Sequence, residues 1–515
     1  LSLTASVGGF LKLENRHYQR AIDLALRLYR ERDDKEYLAE AFRFASVQKA
    51  NLLRRYLGVQ ELAQSFGVPQ EVVGEKVRLE TDVLVLEKAL AEASADERPS
   101  LRQELLGKQQ ELSEVRRKLE SDHPTFSRAL RGAALADPFA AAAGLTPDRM
   151  VIEYFLGQDS IYQFALSKEA GLTYAVVPRP ENLKDLTQRA LSDTATAATT
   201  CYQRLVAPLL EQEPGISRLQ FIPDGMLWNV NFQSLRNNSQ YLIQQQAVSY
   251  AYSSGMLFAT DGAANNKANY LGFGISYDEV IDRINSAKNR SGTDNRLRNM
   301  GSLPYARQDV EEVAALLGTN PVLEDQATKA NFLTQAPDGG ILHLAMHGIL
   351  EENPMESSLV FRGEQPGTYE LLRMRELLGR QFPASLTVLS ACHSGNGPLE
   401  ATEGRQSIGR AFAAAGSKAT ITSAWAAPDR ATYAIMKQVF QYIDEELPTD
   451  QALQRATISY LEESSAAERD PINWAHLNLT GSVMPVKAGS SWQWGLLAMG
   501  LIGLLASGLW FWGKK

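Results

Sequence analysis

The chain has 515 residues, 44% of them hydrophobic and 22% charged, with a net charge of −8. That length supports two to four domains of roughly 100–200 residues, and the acidic balance lacks the basic stripe that a nucleic-acid partner needs, so none is expected. Two cysteines, Cys201 and Cys392, make no disulfide framework, and neither has metal-ligand spacing to the other.

The chain opens on Leu1 in mid-pattern, which predicts the C-terminal part of a longer protein. Residues 1–57 carry apolar residues at helical spacing over Tyr18–Arg30 and Lys35–Tyr56, with Arg32-Asp33-Asp34 as the turn. Such a pair suits the end of a helical-repeat array of the tetratricopeptide kind. Residues 58–145 read as a helical hairpin linker. Its arms are Val68–Ala93, with Leu79, Val83, Leu86 and Leu90 on one face, and Ser100–Asp122. Near-heptad spacing on short arms predicts an intramolecular antiparallel pair rather than a dimeric coiled coil.

At Met150 the period changes to two. VIEYF, SIYQFALS and LTYAVV alternate between turn signals, which predicts an antiparallel meander. A helix is expected over Glu181–Glu211, burying Cys201 as a structural thiol. Strands follow at Arg218–Asp224, Val248–Tyr252 and Leu271–Tyr277. Asp282–Met300, rich in Asn, Ser, Gly and Arg, reads as a loop. From Ala306 strand and helix alternate as far as Glu446, which predicts a mostly parallel sheet covered on both faces. Pro471–Gly481 closes the domain and residues 483–491 form a linker.

Residues 492–512, WQWGLLAMGLIGLLASGLWFW, contain no charge and precede Lys514 and Lys515. About 20 apolar residues with tryptophans at both ends predict one transmembrane helix, hence a single-pass membrane protein anchored in the lipid bilayer. The side holding the globular part is left open.

Two strand ends carry the chemistry. Ile341–Gly348 (ILHLAMHG) ends in His347 and Gly348, and Leu386–Gly395 (LTVLSACHSG) passes into Cys392. In an open α/β sheet, ligands sit beyond the carboxyl ends of the strands. Two neighbouring parallel strands would there present an imidazole and a thiol, an acid/base and a nucleophile. Each alternative is bland: a buried strand cysteine and a satisfied strand-end histidine. His343 lies four residues before His347, on the same strand face but ~13 Å away, and reads as packing. A zinc site from His343, His347, Cys392 and His393 requires helical spacing that a strand does not supply.

The blocks AFRFASVQKANLL, YFLGQDSIYQFALS, LQFIPDGMLWNVNFQSL, LPYARQDVEEVAALL, ILHLAMHG, LTVLSACHSGNG, EGRQSIGRAFAAAGSKATITSAW and INWAHLNLTG, in that order, resemble the CHAT family. These are caspase-fold, separase-like cysteine peptidases commonly fused to tetratricopeptide repeats. The resemblance implies a caspase-like domain over 146–482, with a pseudo-caspase half at 146–265 and a catalytic half at 266–482. It implies peptide-bond hydrolysis by a His347/Cys392 dyad, with the backbone N–H groups of Gly348 and Cys392 as oxyanion hole. It also implies no cofactor or metal, a protein or peptide substrate, and a regulatory protein partner acting through the helical repeats. Asp429, in Trp-Ala-Ala-Pro-Asp, is in register with an acidic pocket residue of separase-like relatives, which implies cleavage after Arg or Lys. Its alternative role is the N-cap of the helix from Arg430. With such a pocket, the arginines of Asp282–Met300 would be a self-cleavage site, although an ordinary flexible loop is the simpler reading. The whole is expected to be a membrane-anchored cysteine endopeptidase. The alternative is a catalytically inactive caspase-fold scaffold that binds partners.

Overall fold

In the computed structural model the described residues are 3–46, 49, 68–94, 96–122, 137–192, 195–261, 269–287, 292–378, 380–391, 393–400, 404–426 and 428–486. They are organised on an 11-stranded mixed sheet. Its strands, in chain order, are β1 (Arg149–Leu156), β2 (Ser160–Ser167), β3 (Gly171–Pro178), β4 (Arg218–Ile222), β5 (Ala247–Tyr250), β6 (Tyr270–Gly274), β7 (Val322–Leu323), β8 (Ile341–Ala345), β9 (Leu386–Leu389), β10 (Ala419–Ser423) and β11 (Leu477–Gly481). The spatial order is β3-β2-β1-β4-β5-β11-β10-β9-β8-β6-β7.

The meander β1-β2-β3 is antiparallel, as its alternation predicts. β1, β4, β5 and β11 run parallel to one another, and so do β10, β9, β8, β6 and β7. Only the β10–β11 pairing between these two sets is antiparallel. Strand direction therefore reverses at that seam, and the carboxyl ends of the two sets face opposite edges.

Both faces are covered. Helices α1 (Leu3–Arg32) and α2 (Lys35–Ser46) lay Ile22, Leu26, Leu38 and Phe42 against Val151, Phe155 and Phe164 of the meander. The pair thus belongs to the wall of the sheet domain, a placement that its own spacing does not reveal. Helices α3 (Gln70–Glu92) and α4 (Arg98–Asp122) form the expected intramolecular hairpin, with Arg116 and Lys76 both paired to Glu80. Val77 on α3 enters the core beside Phe273, so the hairpin is seated on the second strand set.

Several readings need correction. Asp282–Met300 is no loop: α5 (Asp278–Ser286) and α6 (Gly292–Met300) occupy most of it. Of their few apolar residues, Val280, Ile284 and Leu297 are buried and Ile281 and Met300 partly buried. Tertiary burial of one narrow face overrides a polar composition. Strand β9 stops at Leu389, three residues before Cys392, so His393 does not continue a strand. It sits instead at φ +60°, in the left-handed region. The single-pass membrane location is also overturned, because among the described residues no helix is long and apolar enough to cross a membrane. The 30-residue α1 is long enough, but charges such as Arg20, Asp23, Arg27 and Arg30 recur along it. The expected span, 492–512, and with it the contact to a lipid bilayer, lies outside the described residues.

Candidate functional site

The two motif strands are neighbours. β8 and β9 pair in parallel, with Leu344 opposite Leu389. His347 stands three residues after Leu344, and Cys392 stands three residues after Leu389 in the chain. Cys392 itself lies outside the described residues.

His347 is 2% exposed and held from three directions. Its backbone N–H donates to the Tyr277 hydroxyl at 3.0 Å, and the Tyr277 ring lies 4.5 Å away, tilted by 35°. Tyr277 in turn donates to the Val360 carbonyl. The third contact fixes the tautomer. Nε2 lies 2.8 Å from the Gly301 carbonyl, which only accepts, so Nε2 carries the proton. In a neutral imidazole the lone pair is then on Nδ1. That atom is buried and has no partner among the described residues. Burial pushes the His347 pKa down to about 4, against a smaller opposing effect of the Gly301 carbonyl. At neutral pH the ring is an uncharged base. Gly348 follows directly, in the short strand Gly348–Ile349 paired with Ser358–Leu359.

The residues flanking Cys392 are firmly fastened. Before it, Ser390 Oγ lies 3.2 Å from His343 Nε2. After it, Ser394 is fully buried, donates to the Leu389 carbonyl at 3.1 Å and accepts the Ser423 N–H at 3.0 Å. Gly395 N–H donates to the Ser423 carbonyl at 2.9 Å. A Cβ on Gly395 would stand 2.5 Å from Thr422 Oγ1, so the turn closes onto β10 only with glycine there. His393, beside the thiol position, is half-buried and has its pKa lowered by burial. A non-glycine residue at positive φ costs of order 1 kcal/mol and concentrates at functional turns.

His343 is a packing residue, as its strand position predicts. Its Nδ1 accepts from Tyr270 Oη at 2.9 Å, and its Nε2 lies 3.3 Å from Asp309 Oδ2. His343 faces this interior network, and Cys392, a ligand of the zinc alternative, lies outside the described residues. Among the described residues no group of His, Cys, Asp and Glu could hold a metal ion.

Asp429 opens the helix α7 (Asp429–Asp444) but does not cap it; Pro428 is the N-cap. Its Oδ2 instead accepts the Tyr305 N–H at 3.0 Å, in the first turn of the helix Pro304–Leu316. Burial raises the Asp429 pKa, with the Tyr305 N–H opposing and nearby Asp309 adding to the rise. Gly301, which holds His347, and Tyr305, which holds Asp429, lie in one five-residue segment. The acid and the base are thus linked through Gly301–Tyr305. Sequence reading missed this segment, since a backbone carbonyl leaves no signature. The only available signal was Gly301, at φ +76°, ahead of Pro304 in the first turn of its helix.

A second feature missed from sequence is a cavity of about 390 Å3 over the β5–β11–β10 seam. Trp228, Trp425, Asn396 and Arg405 stand in its wall.

Comparison with known proteins follows this geometry. The model of the CHAT domain matches residues 195–482, more than half of the chain. Tetratricopeptide repeat protein 28 of Homo sapiens is 26% identical over 224 residues, 37% of this chain and 9% of that protein. Its Mus musculus counterpart is 25% identical with the same coverage. The chain therefore spans about a tenth of the length of these relatives. Among solved structures, the Arg specific cysteine proteinase gingipain R matches at TM-score 0.36 and 10% identity, covering 59% of this chain and 75% of that one. The Saccharomyces cerevisiae separase–securin complex matches at TM-score 0.40 and 8% identity, covering 70% of this chain and 31% of that one. Both TM-scores lie below 0.5.

Proposed function

Because the chain belongs to the CHAT domain family, we propose that it is a cysteine endopeptidase working through His347 and Cys392. The observation that carries this reading is the state of His347. Its ring is fixed in one tautomer by Gly301, its Nδ1 is free among the described residues, and its strand is paired in parallel with the one that leads to Cys392. A catalytic base needs an aimed lone pair within reach of its nucleophile.

In the proposed reaction Nδ1 takes the proton of the Cys392 thiol, and the thiolate attacks the carbonyl carbon of the scissile peptide. The backbone N–H groups of Gly348 and Cys392 hold the oxyanion. The protonated imidazole returns its proton to the departing amine, which leaves an acyl-enzyme thioester. A water molecule, deprotonated by the same nitrogen, hydrolyses that ester and restores the thiol. Asp429 is assigned to the pocket for the residue before the scissile bond. Its link to His347 through Gly301–Tyr305 supports cleavage after Arg or Lys. The relatives named for tetratricopeptide repeats support control by a protein partner bound to the N-terminal helices.

The test compares the chain with its Cys392→Ala and Asp429→Ala variants on a mixed peptide library, reading new termini by mass spectrometry. Cysteine-dependent cuts after Arg or Lys, lost in Asp429→Ala, are expected. Cysteine-dependent cuts elsewhere would remove Asp429 from the pocket. If no cuts occur, labelling by a thiol-reactive peptide electrophile decides, and no labelling of Cys392 would leave a partner-binding scaffold.

A further inference from the structure

The cavity over the seam adjoins the turn after Cys392 but contains neither His347 nor His343 in its wall, and that wall is unbalanced. Its floor is Tyr250, Thr422, Asn478 and Thr480, on one face of β5, β10 and β11. Its rim joins the loop after β4, at Trp228–Asn231, to the turn after Cys392, at Gly395–Asn396. Among the described residues no aspartate or glutamate lines it, whereas Arg405 does.

The polar groups of the wall are predominantly donors. Arg405 Nη2 donates to Asn229 Oδ1 at 2.6 Å, and Nη1 donates to Asn396 Oδ1 at 2.8 Å. Asn396 Oδ1 also accepts the Gly397 N–H at 2.9 Å. Asn478 Oδ1 accepts from Gln233 Nε2 at 2.9 Å. These contacts fix the amide orientations, because every partner donates. With their oxygens engaged, the three amides are left with N–H2 groups. Arg405 meets only neutral oxygens among the described residues, namely Asn229, Asn396 and the carbonyls of Trp228 and Gly397. A largely buried cation with no counter-charge among the described residues, surrounded by leftover donors, is complementary to an oxyanion.

The aromatic part of the wall narrows the class. Trp228 stacks on Tyr252 at 5.9 Å and 28°, and Trp425 stands in the same wall. A volume of about 390 Å3 suits a compact ligand. Indole and phenol faces take flat rings, and amide edges pair with ring nitrogens and carbonyls. Among the described residues, a single cation and no carboxylate for magnesium suit one phosphate rather than a triphosphate. We propose that this cavity binds a phosphate monoester carried on a flat ring, a ligand of the mononucleotide class, bridging the loop after β4 and the turn after Cys392.

Isothermal titration of the full chain with AMP, GMP, adenosine and inorganic phosphate tests this. AMP or GMP should bind, with adenosine and phosphate each weaker by about tenfold or more. Arg405→Gln should weaken the nucleotide about tenfold and leave adenosine unchanged. Arg405 also ties two loops together, so Asn478→Leu, which removes a donor from the floor, provides a second arm should Arg405→Gln not fold. Phosphate binding as tightly as AMP would reduce the cavity to an adventitious anion site and overturn the mononucleotide class. No heat from either nucleotide at millimolar concentration would overturn the proposal, as would affinities unchanged in both variants. Displacement of AMP by a glutamate-containing peptide at lower concentration would reassign the cavity to an acidic peptide.

Discussion

In the strand set around β1 and β4, two buried ion pairs tie the sheet to neighbouring segments. Lys49 meets Glu153 at 3.1 Å between the helical wall and β1, and Arg218 meets Asp450 through two hydrogen bonds of 2.8 and 2.9 Å. In the set around β8 and β9, the buried group at the strand end is a neutral imidazole with a nitrogen left over. Ion pairs in the first set hold helices to the sheet; the strand end of the second carries an imidazole nitrogen with no partner among the described residues. One continuous sheet thus separates a region that fixes structure from a region that retains reactivity.

The largest expected effect breaks the reactive side. His347→Asn should lower peptide cleavage by about 10²–10⁴-fold. Unfolding in denaturant should barely change, since one neutral ring replaced by an amide leaves no buried charge. Lys49→Met should do the reverse. It strands Glu153 and removes the cation beside partly buried Asp224, and should cost roughly 3–5 kcal/mol of stability in urea titrations. Electrophile labelling of Cys392 in the fraction still folded should persist. If both variants lost labelling equally, the division between the two sets would be wrong.

A pH titration of stability sharpens the same contrast. The His347 pKa falls from its ordinary 6.5 to about 4 on folding, and that of buried His476 to about 3. Below pH 6.5 the unfolded chain binds protons that the folded chain refuses, so stability must fall as pH drops from about 6.5 towards 4. His347 alone should account for about 3 kcal/mol of that loss. His347→Asn should flatten the slope, as measured by urea midpoints at pH 7, 6, 5 and 4.5. The smallest effect is expected at Asp429. Asp429→Ala should remove cuts after Arg and Lys, yet cost only about 0.5–2 kcal/mol, the worth of a lost helix-end acceptor.

How much of this was legible depended on the kind of signal. The period-two alternation of 150–177 predicts the meander, and two apolar runs ending in His-Gly and Ala-Cys predict neighbouring parallel strands. These patterns are local and each is carried by several residues. The helices at 278–286 and 292–300 escaped because three buried apolar side chains are too few to outweigh Asn, Ser and Arg. Asp429 was placed at a helix start correctly, but its carboxylate serves the helix Pro304–Leu316, a pairing 124 residues distant in the chain. Gly301 and Arg405 act through backbone carbonyls and amide oxygens, which sequence does not mark. The seam escaped for the same reason. Nothing in Leu477–Gly481 states that it lies parallel to one neighbour and antiparallel to the other.

That strand has a consequence for how the molecule is made. β11 spans Leu477–Gly481, yet it lies between β5, finished by Tyr250, and β10, finished by Ser423. During synthesis both half-sheets emerge complete, each with an open edge, before the strand that joins them leaves the ribosome. Closing the sheet brings together residues as far apart as Thr480 and Tyr250, a long-range contact of the kind that slows folding. Until then two unpaired edges are available to other chains. A nascent chain halted between Ser423 and Leu477 should therefore aggregate or recruit chaperones, whereas one released past Gly481 should not. The strands that lead to His347 and Cys392 are complete throughout that interval, so under the proposed function the timing of proteolytic competence would rest on five residues adjacent to neither in sequence.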